Sequence, residues 1–318
     1  MNPLDRIIEA PGRLAVGGSP EGFDAAIVAR LAAAARAPLL VVARDLPRLV
    51  AMVEGLRFFA PEAEVLEFPA WDCLPYDRVS PDPDIVARRM ATLSRIVNGG
   101  LEGGVVVVTT VNAVIQRVPP RDTVAGAHFP LRPGGVLDLD ALSAFLARNG
   151  YVRSGTVLES GEYAIRGGII DIFAPGGTPV RLDLFGDALE SIRTFDPESQ
   201  RTIGTLHGLD LVPASESPLD DDSIRRFRAA YVGRFGAITA ADPLYEAVSA
   251  GRKHPGMEHW LPLFHERLDT LFDYLPDATL VLDHLVEDAW TARRATIEDY
   301  YKARADLTGG TFGAVEYH

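Results

Sequence analysis

The sequence predicts an α/β domain built on a parallel sheet and interrupted by a small, sheet-dominated α+β domain. Three observations carry this. Short, uniformly apolar runs at Pro38–Ala43 and Val105–Thr109 are separated by helix-patterned segments. Between about 128 and 213 the pattern becomes strand after strand. One more apolar run, Thr279–Asp283, stands alone among helices. A lone strand of buried type needs a sheet to join, and the N-terminal sheet is the available host. The expected organisation is therefore 1–127 as the first part of the α/β domain, 128–213 as an insertion, and 214–318 as the second part.

The elements follow in order. Glu21–Ala37 is an Ala-rich helix candidate, Pro38–Ala43 a strand, Leu46–Phe59 a helix and Glu64–Phe68 a strand. A proline-punctuated loop runs from Trp71 to Pro83. The helix pattern Asp84–Val97 has Ile85, Arg89, Leu93 and Ile96 at helical spacing. The pattern changes near Pro119-Pro120. A helix at Leu139–Arg148 precedes strands at Tyr151–Leu158, Tyr163–Phe173, Val180–Phe185, Ser191–Phe195 and Leu206–Val212. Glu159-Ser160-Gly161-Glu162 and Pro175-Gly176-Gly177 supply turns. Gly167-Gly168, inside one of these runs, predicts a bulge or a close backbone approach.

Composition excludes several classes. The 318 residues are 47% hydrophobic and 24% charged, with mean hydropathy +0.07, which supports a buried core rather than disorder. Thirty-one basic against 44 acidic residues give −13, the wrong sign for a protein that grips phosphate backbones non-specifically. A single cysteine, Cys73, excludes an internal disulfide and a thiolate-rich zinc site, which fits a reducing cytoplasm. Its acidic neighbour Asp72 raises a thiol pKa, so an inert packed thiol is expected. No apolar stretch is long enough to span a membrane, and Met1-Asn2-Pro3-Leu4-Asp5-Arg6 lacks the organisation of a secretory signal. Lys253 and Lys302 stand against 29 arginines, so lysine chemistry is nearly absent.

Phosphate binding is the first chemistry to weigh. Gly17-Gly18-Ser19-Pro20-Glu21-Gly22-Phe23-Asp24 precedes the first long helix, where a P-loop stands, and Gly17 and Gly22 keep the P-loop spacing. The working loop needs lysine on the β/γ-phosphates and a hydroxyl on magnesium. Here Phe23 replaces the lysine, and Asp24 replaces the hydroxyl with a charge that repels phosphate. Pro20 removes an amide donor and Glu21 adds another anion. ATP hydrolysis is not expected. On spacing alone, an ordinary glycine-containing turn explains the segment equally well.

Other templates fail. The sequence has no G-x-G, no G-x-S-x-G and no H-E-x-x-H. His254, His259 and His265 are spaced by five and six, which does not place them on one helical face, so no metal site is expected. Arg88-Arg89 and Arg225-Arg226 read as solvated helix faces rather than DNA contacts.

The middle domain is more informative. In Val180–Phe185 the period of two puts Val180, Leu182 and Leu184 on one face and Arg181, Asp183 and Phe185 on the other. In the neighbouring run, Arg166 stands just before Gly167-Gly168. Arginine and aromatic residues on an exposed sheet are the types enriched at interface hot spots. A cross-strand Arg–Asp pair beside a half-buried phenylalanine accounts for the same pattern. The domain carries 7 Arg against 11 Asp+Glu, so a protein suits it better than DNA as a partner.

Several long strings are similar to the bacterial transcription-repair coupling factor family. They are Leu74-Pro75-Tyr76-Asp77-Arg78-Val79-Ser80-Pro81-Asp82-Pro83-Asp84-Ile85, the run Gly155–Phe173, Arg181–Asp187, Ser191–Thr202 and Trp260–Phe264. The chain resembles only the N-terminal module of that family, the part similar to the excision-repair subunit UvrB. The resemblance implies a P-loop-like α/β domain whose nucleotide site has decayed, interrupted by a small domain that recruits UvrA. By motif, the family's UvrA-contacting residues fall on Arg166, Arg181 and Phe185. The UvrB hairpin that enters DNA has no counterpart after Phe68, so damage verification is not expected.

The family's polymerase-binding domain and translocase motor lie further C-terminal. RNA polymerase, double-stranded DNA, ATP and magnesium are therefore expected only of those parts, and this chain is expected to need no cofactor and to catalyse nothing. One competing reading is a nucleotide-dependent DNA-remodelling ATPase with residual activity, which Phe23 and Asp24 oppose. Another makes the outer sheet face a switch surface, masked by another domain of the intact protein.

Overall fold

The computed structural model describes residues 12–20, 22–101, 103–236, 242–305 and 315–318; Glu21 and the first eleven residues lie outside them. Along the chain come α1 (Phe23–Ala34), β1 (Leu39–Ala43), α2 (Leu46–Phe59), β2 (Glu64–Phe68), α3 (Pro83–Asn98) and β3 (Val105–Thr110). Next are α4 (Val111–Val114), α5 (Arg121–Gly126), β4 (Phe129–Leu131), α6 (Leu139–Arg148), β5 (Val152–Arg153), β6 (Glu162–Arg166) and β7 (Ile169–Ile172). Then follow β8 (Val180–Phe185), β9 (Ala188–Phe195), β10 (Thr202–Leu206), β11 (Leu209–Leu211), α7 (Asp221–Phe235) and α8 (Pro243–Ser249). A 3₁₀ turn (Met257–Leu263), α9 (Leu271–Tyr274), β12 (Thr279–Leu282) and α10 (Val286–Ala305) complete the order.

Two compact units emerge. The first takes residues 1–70, 98–116 and 270–296. Its sheet is fully parallel, in the order β12-β1-β3-β2, with Leu40 paired to Leu280 and to Val107. The lone strand thus joins the N-terminal sheet, as its apolar run requires. Val41, Val106 and Val108 pack on Ala25, Val28 and Ala32 of α1 and on Leu49, Met52 and Leu56 of α2. Gly55 lets the two helices close: a Cβ there would stand 2.5 Å from that of Ala25. Asp45 starts α2 by accepting from the Arg48 amide, with proline in the first turn.

The second unit takes 71–97, 117–269 and 297–318, so it gathers more of the chain than the strand-rich stretch 128–213 alone. Its six-stranded sheet runs β10-β9-β8-β7-β6-β5, antiparallel except for β5 against β6, and β4 pairs with β11 separately. Leu142, Phe145 and Leu146 of α6 cover one sheet face, on Ile170, Ile172, Val180, Leu182 and Ile192.

Four sequence expectations need correction here. Tyr151–Leu158 is a strand only at Val152–Arg153, because Ser154 turns the chain by bonding the Thr156 carbonyl. Tyr163–Phe173 is two strands, not one. Gly167, at φ 60°, reverses the chain, and Gly168 meets β8, where a Cβ would lie 2.9 Å from the Leu184 carbonyl oxygen. Leu206–Val212 breaks at His207-Gly208 into strands of separate sheets. Arg89 is not solvated: its side chain is fully buried against Glu216.

Candidate functional site

The residues that the sequence singles out gather at two places, one in each unit. At the head of α1, Gly22 takes the left-handed N-cap conformation (φ 85°), and Phe23 stands exposed. Gly17 is exposed as well. Asp24 faces inward. Its carboxylate accepts from the Ala25 amide at 2.9 Å and pairs with the Arg48 guanidinium. Arg48, itself buried, also donates to both oxygens of Asp283 at 3.2 and 3.1 Å. The bond to Asp283 raises the arginine further above its already high pKa. Burial works against ionised Asp283, but the Arg48 side chain and the Arg44 amide outweigh it and hold the carboxyl below its ordinary range. The position that a magnesium-binding hydroxyl would occupy therefore carries a carboxylate already engaged by an internal cation. These residues do not fit a nucleotide triphosphate.

The second place is the face of the six-stranded sheet opposite α6. Register alone builds it. Ala164 pairs with Asp171, Asp171 with Arg181, and Arg181 with Arg193, so these side chains share one face. Phe185 follows a β-bulge between Asp183 and Leu184, next to the turn into β9, and is 77% exposed. Ile169, partly exposed, stands between Arg166 and Asp183 in the register.

Charge on this face is arranged around two carboxylates. Asp171 is fully buried and takes a two-point bond from Arg181, Nε to Oδ1 at 2.7 Å and Nη2 to Oδ2 at 2.9 Å. It also pairs with Nη2 of Arg166. Arg193 grips Asp183 in the same way, at 2.6 and 2.5 Å, and Ser191 donates a third bond. The Arg193 bonds hold the Asp183 carboxyl below its usual range. Arg181 lies over the buried Phe195 ring, 4.7 Å from its centroid, and reaches the carbonyl and side-chain oxygens of Gln200, each at 3.4 Å. Gln200 sits in the left-handed region (φ 58°), anchored by its side-chain amide on the Val157 and Pro197 carbonyls.

The three residues singled out from sequence thus share one face but not one state. Arg181 is only 16% exposed, Arg166 is 47% exposed and Phe185 is largely bare. The cross-strand Arg–Asp pair weighed from pattern is present, as Arg181 with Asp171, while the phenylalanine beside it is exposed rather than half-buried.

Residues 129–216 match the family model of the UvrB interaction domain. Over most of its length the chain also aligns with bacterial transcription-repair-coupling factors. Identity is 34% over 249 residues with that of Rickettsia bellii and 35% over 261 with that of Escherichia coli. With that of Bacillus subtilis it is 27% over 294. The chain is a homologue of transcription-repair-coupling factor. Those alignments take 78%, 81% and 84% of this chain but only 22%, 22% and 25% of the relatives, so it spans about a quarter of their length or less.

In this coupling-factor homologue the matched domain holds the whole charged face. Sequence reasoning named Arg166, Arg181 and Phe185 but missed Asp171, Arg193 and Gln200. The first two were readable from the period, since Asp171 and Arg193 alternate with the buried isoleucines Ile170, Ile172 and Ile192. Gln200 had no such signal, because its role depends on a turn. Among the described residues no cluster of His, Cys, Asp and Glu is placed to hold a metal. None of their helices is long and apolar enough to cross a membrane. His259 and His265 are buried and hydrogen-bonded, and burial pushes the Cys73 thiol up to about 12.

Proposed function

We propose that this chain is a non-catalytic recruitment module of transcription-coupled excision repair, acting in the cytoplasm. It binds UvrA through the outer face of the six-stranded sheet and so brings repair proteins to a stalled RNA polymerase held by other parts of the longer relatives. The observation that carries the reading is Phe185. A large ring left 77% exposed on the same face as a half-exposed arginine, in a domain whose other aromatic residues are buried or partly buried, is the composition of an interface anchor.

The residues divide the work. Phe185 supplies apolar area for a pocket on UvrA, Arg166 meets a carboxylate or carbonyl at its rim, and Arg181 stiffens the sheet behind them. Because Arg181 neutralises a buried carboxylate, Arg181→Ala unsettles the domain as well as the interface, so it is a poor first test. Calorimetric titration of UvrA with Phe185→Ala and Arg166→Ala is the better one. Each is expected to weaken binding about tenfold or more while the melting temperature holds. Undiminished affinity in both folded variants ends the assignment.

A further inference from the structure

We propose that Asp171 is a positioning residue for the partner site: one buried carboxylate that holds the Arg166 and Arg181 guanidiniums in register and joins them into a single preorganised cation. The inference rests on the UvrA-binding reading above and deepens it.

The geometry is specific. Asp171 has no exposed side-chain surface, so it cannot itself touch a partner. Both its oxygens are engaged, Oδ1 by Arg181 and Oδ2 by Arg181 and Arg166 together. Two guanidiniums on strands that flank β7, Arg166 on β6 and Arg181 on β8, would otherwise repel and swing apart. With the carboxylate between them the three groups sum to +1, and the pair can stay close. Phe195 beneath Arg181 and Gln200 beside it remove the remaining freedom of that side chain. Arg166, from a neighbouring strand, gains its fixed direction from the same carboxylate, and its outer Nη1 lies 3.5 Å from the Gly155 carbonyl. Ordering a long arginine at the moment of binding costs affinity, and a side chain ordered beforehand avoids that cost. The sheet register makes this possible: Asp171 lies directly opposite Arg181 and diagonal to Arg166.

The test is Asp171→Asn in the full chain, which keeps the shape and removes the charge, with purified UvrA as the probe. UvrA affinity is expected to fall about tenfold although the altered residue is buried. The Nε–Hε signal of Arg181 is expected to exchange slowly in the parent and fast in the variant, while the backbone amide spectrum is kept. Because Asp171→Asn leaves two cations facing each other, a second pair of variants guards against unfolding. Arg181→Gln is compared with Arg181→Gln/Asp171→Asn, in which no buried ion is left alone. The double variant is expected to bind several-fold more weakly still, since Arg166 has lost its holder. In an Arg166→Gln/Arg181→Gln background, where the buried carboxylate has neither arginine, Asp171→Asn is expected to raise the melting temperature and to leave UvrA affinity unchanged. Equal affinity of Arg181→Gln and Arg181→Gln/Asp171→Asn overturns the positioning role while leaving UvrA binding intact. If Phe185→Ala and Arg166→Ala also bind like the parent, it is the partner reading that fails.

Discussion

Arg89 and Glu216 form a two-point ion pair in which neither side chain is exposed. Nε lies 2.6 Å from Oε1 and Nη2 lies 3.1 Å from Oε2. Trp71 donates a further bond to Oε1 at 3.0 Å, and the backbone carbonyl of Glu216 accepts from His265 at 2.8 Å. This network ties α3 to the last residue of the matched domain.

Breaking that pair from one side strands a buried charge. Glu216→Gln is expected to cost about 3–5 kcal/mol, whereas the apolar double change Arg89→Met/Glu216→Leu is expected to cost far less. Urea unfolding of the three proteins checks this, and similar losses in the single and double variants would refute it.

His259 predicts an acid-sensitive fold. Its Nδ1 accepts from the Tyr317 hydroxyl at 2.7 Å and its Nε2 donates to the Val79 carbonyl at 3.0 Å, and burial pushes its pKa down to about 4. The folded value lies below the usual 6.5, so the unfolded chain takes up the proton first as pH falls. Stability from this group is whole above about pH 6.5 and is lost between 6.5 and 4, by on the order of 3 kcal/mol. His259→Asn is expected to flatten that window in urea titrations at pH 7.5, 5.5 and 4.5. A variant with the parent's full slope would show that the histidine is not responsible.

Gly176 holds a tight corner between β7 and β8. It has φ 70°, and a Cβ there would stand 2.6 Å from that of Ala91 on α3. Gly176→Ala is expected to destabilise by about 1–3 kcal/mol through strain and overpacking together. Gly186→Ala, also at positive φ but with open space around it, is expected to cost less. Melting curves rank the two, and a reversed order would contradict the packing account.

The head of α1 is expected to ignore nucleotide. Millimolar ATP with magnesium should leave the melting temperature unchanged, because a ligand that binds only the native state raises it by mass action. A rise of several degrees would mean that phosphate displaces the Asp24–Arg48 pair.

Where the sequence was legible, a simple period explains why. The alternation in Val180–Phe185 separated Leu182 from Arg181, and the apolar run at Thr279 found its sheet because β-branched and leucine residues without polar partners have few other places to go. Arg89 shows the opposite. Its spacing from Ile85 and Leu93 put it on the buried stripe of α3, yet its charge made a solvated face look natural, since the compensating Glu216 is 127 residues away. Gly167-Gly168 was legible in part: the close backbone approach expected there is made by Gly168 against Leu184, but Gly167 also reverses the chain where one continuous strand was expected, and only the partner strand decides between these uses. Arg181 is engaged by Asp171 and, more weakly, by Gln200, whose left-handed backbone no propensity announces.

The pairing of β1 with β12 has a consequence for biogenesis. From Ala43 to Thr279 the ribosome must add 236 residues, which at 5–20 residues per second takes roughly 12–47 s. Throughout that interval the nascent β1 offers an open hydrogen-bonding edge to its surroundings. A chain emerging in a crowded cell during those seconds invites capture by chaperones or by neighbouring polysomes, and slow codons downstream would lengthen the hazard.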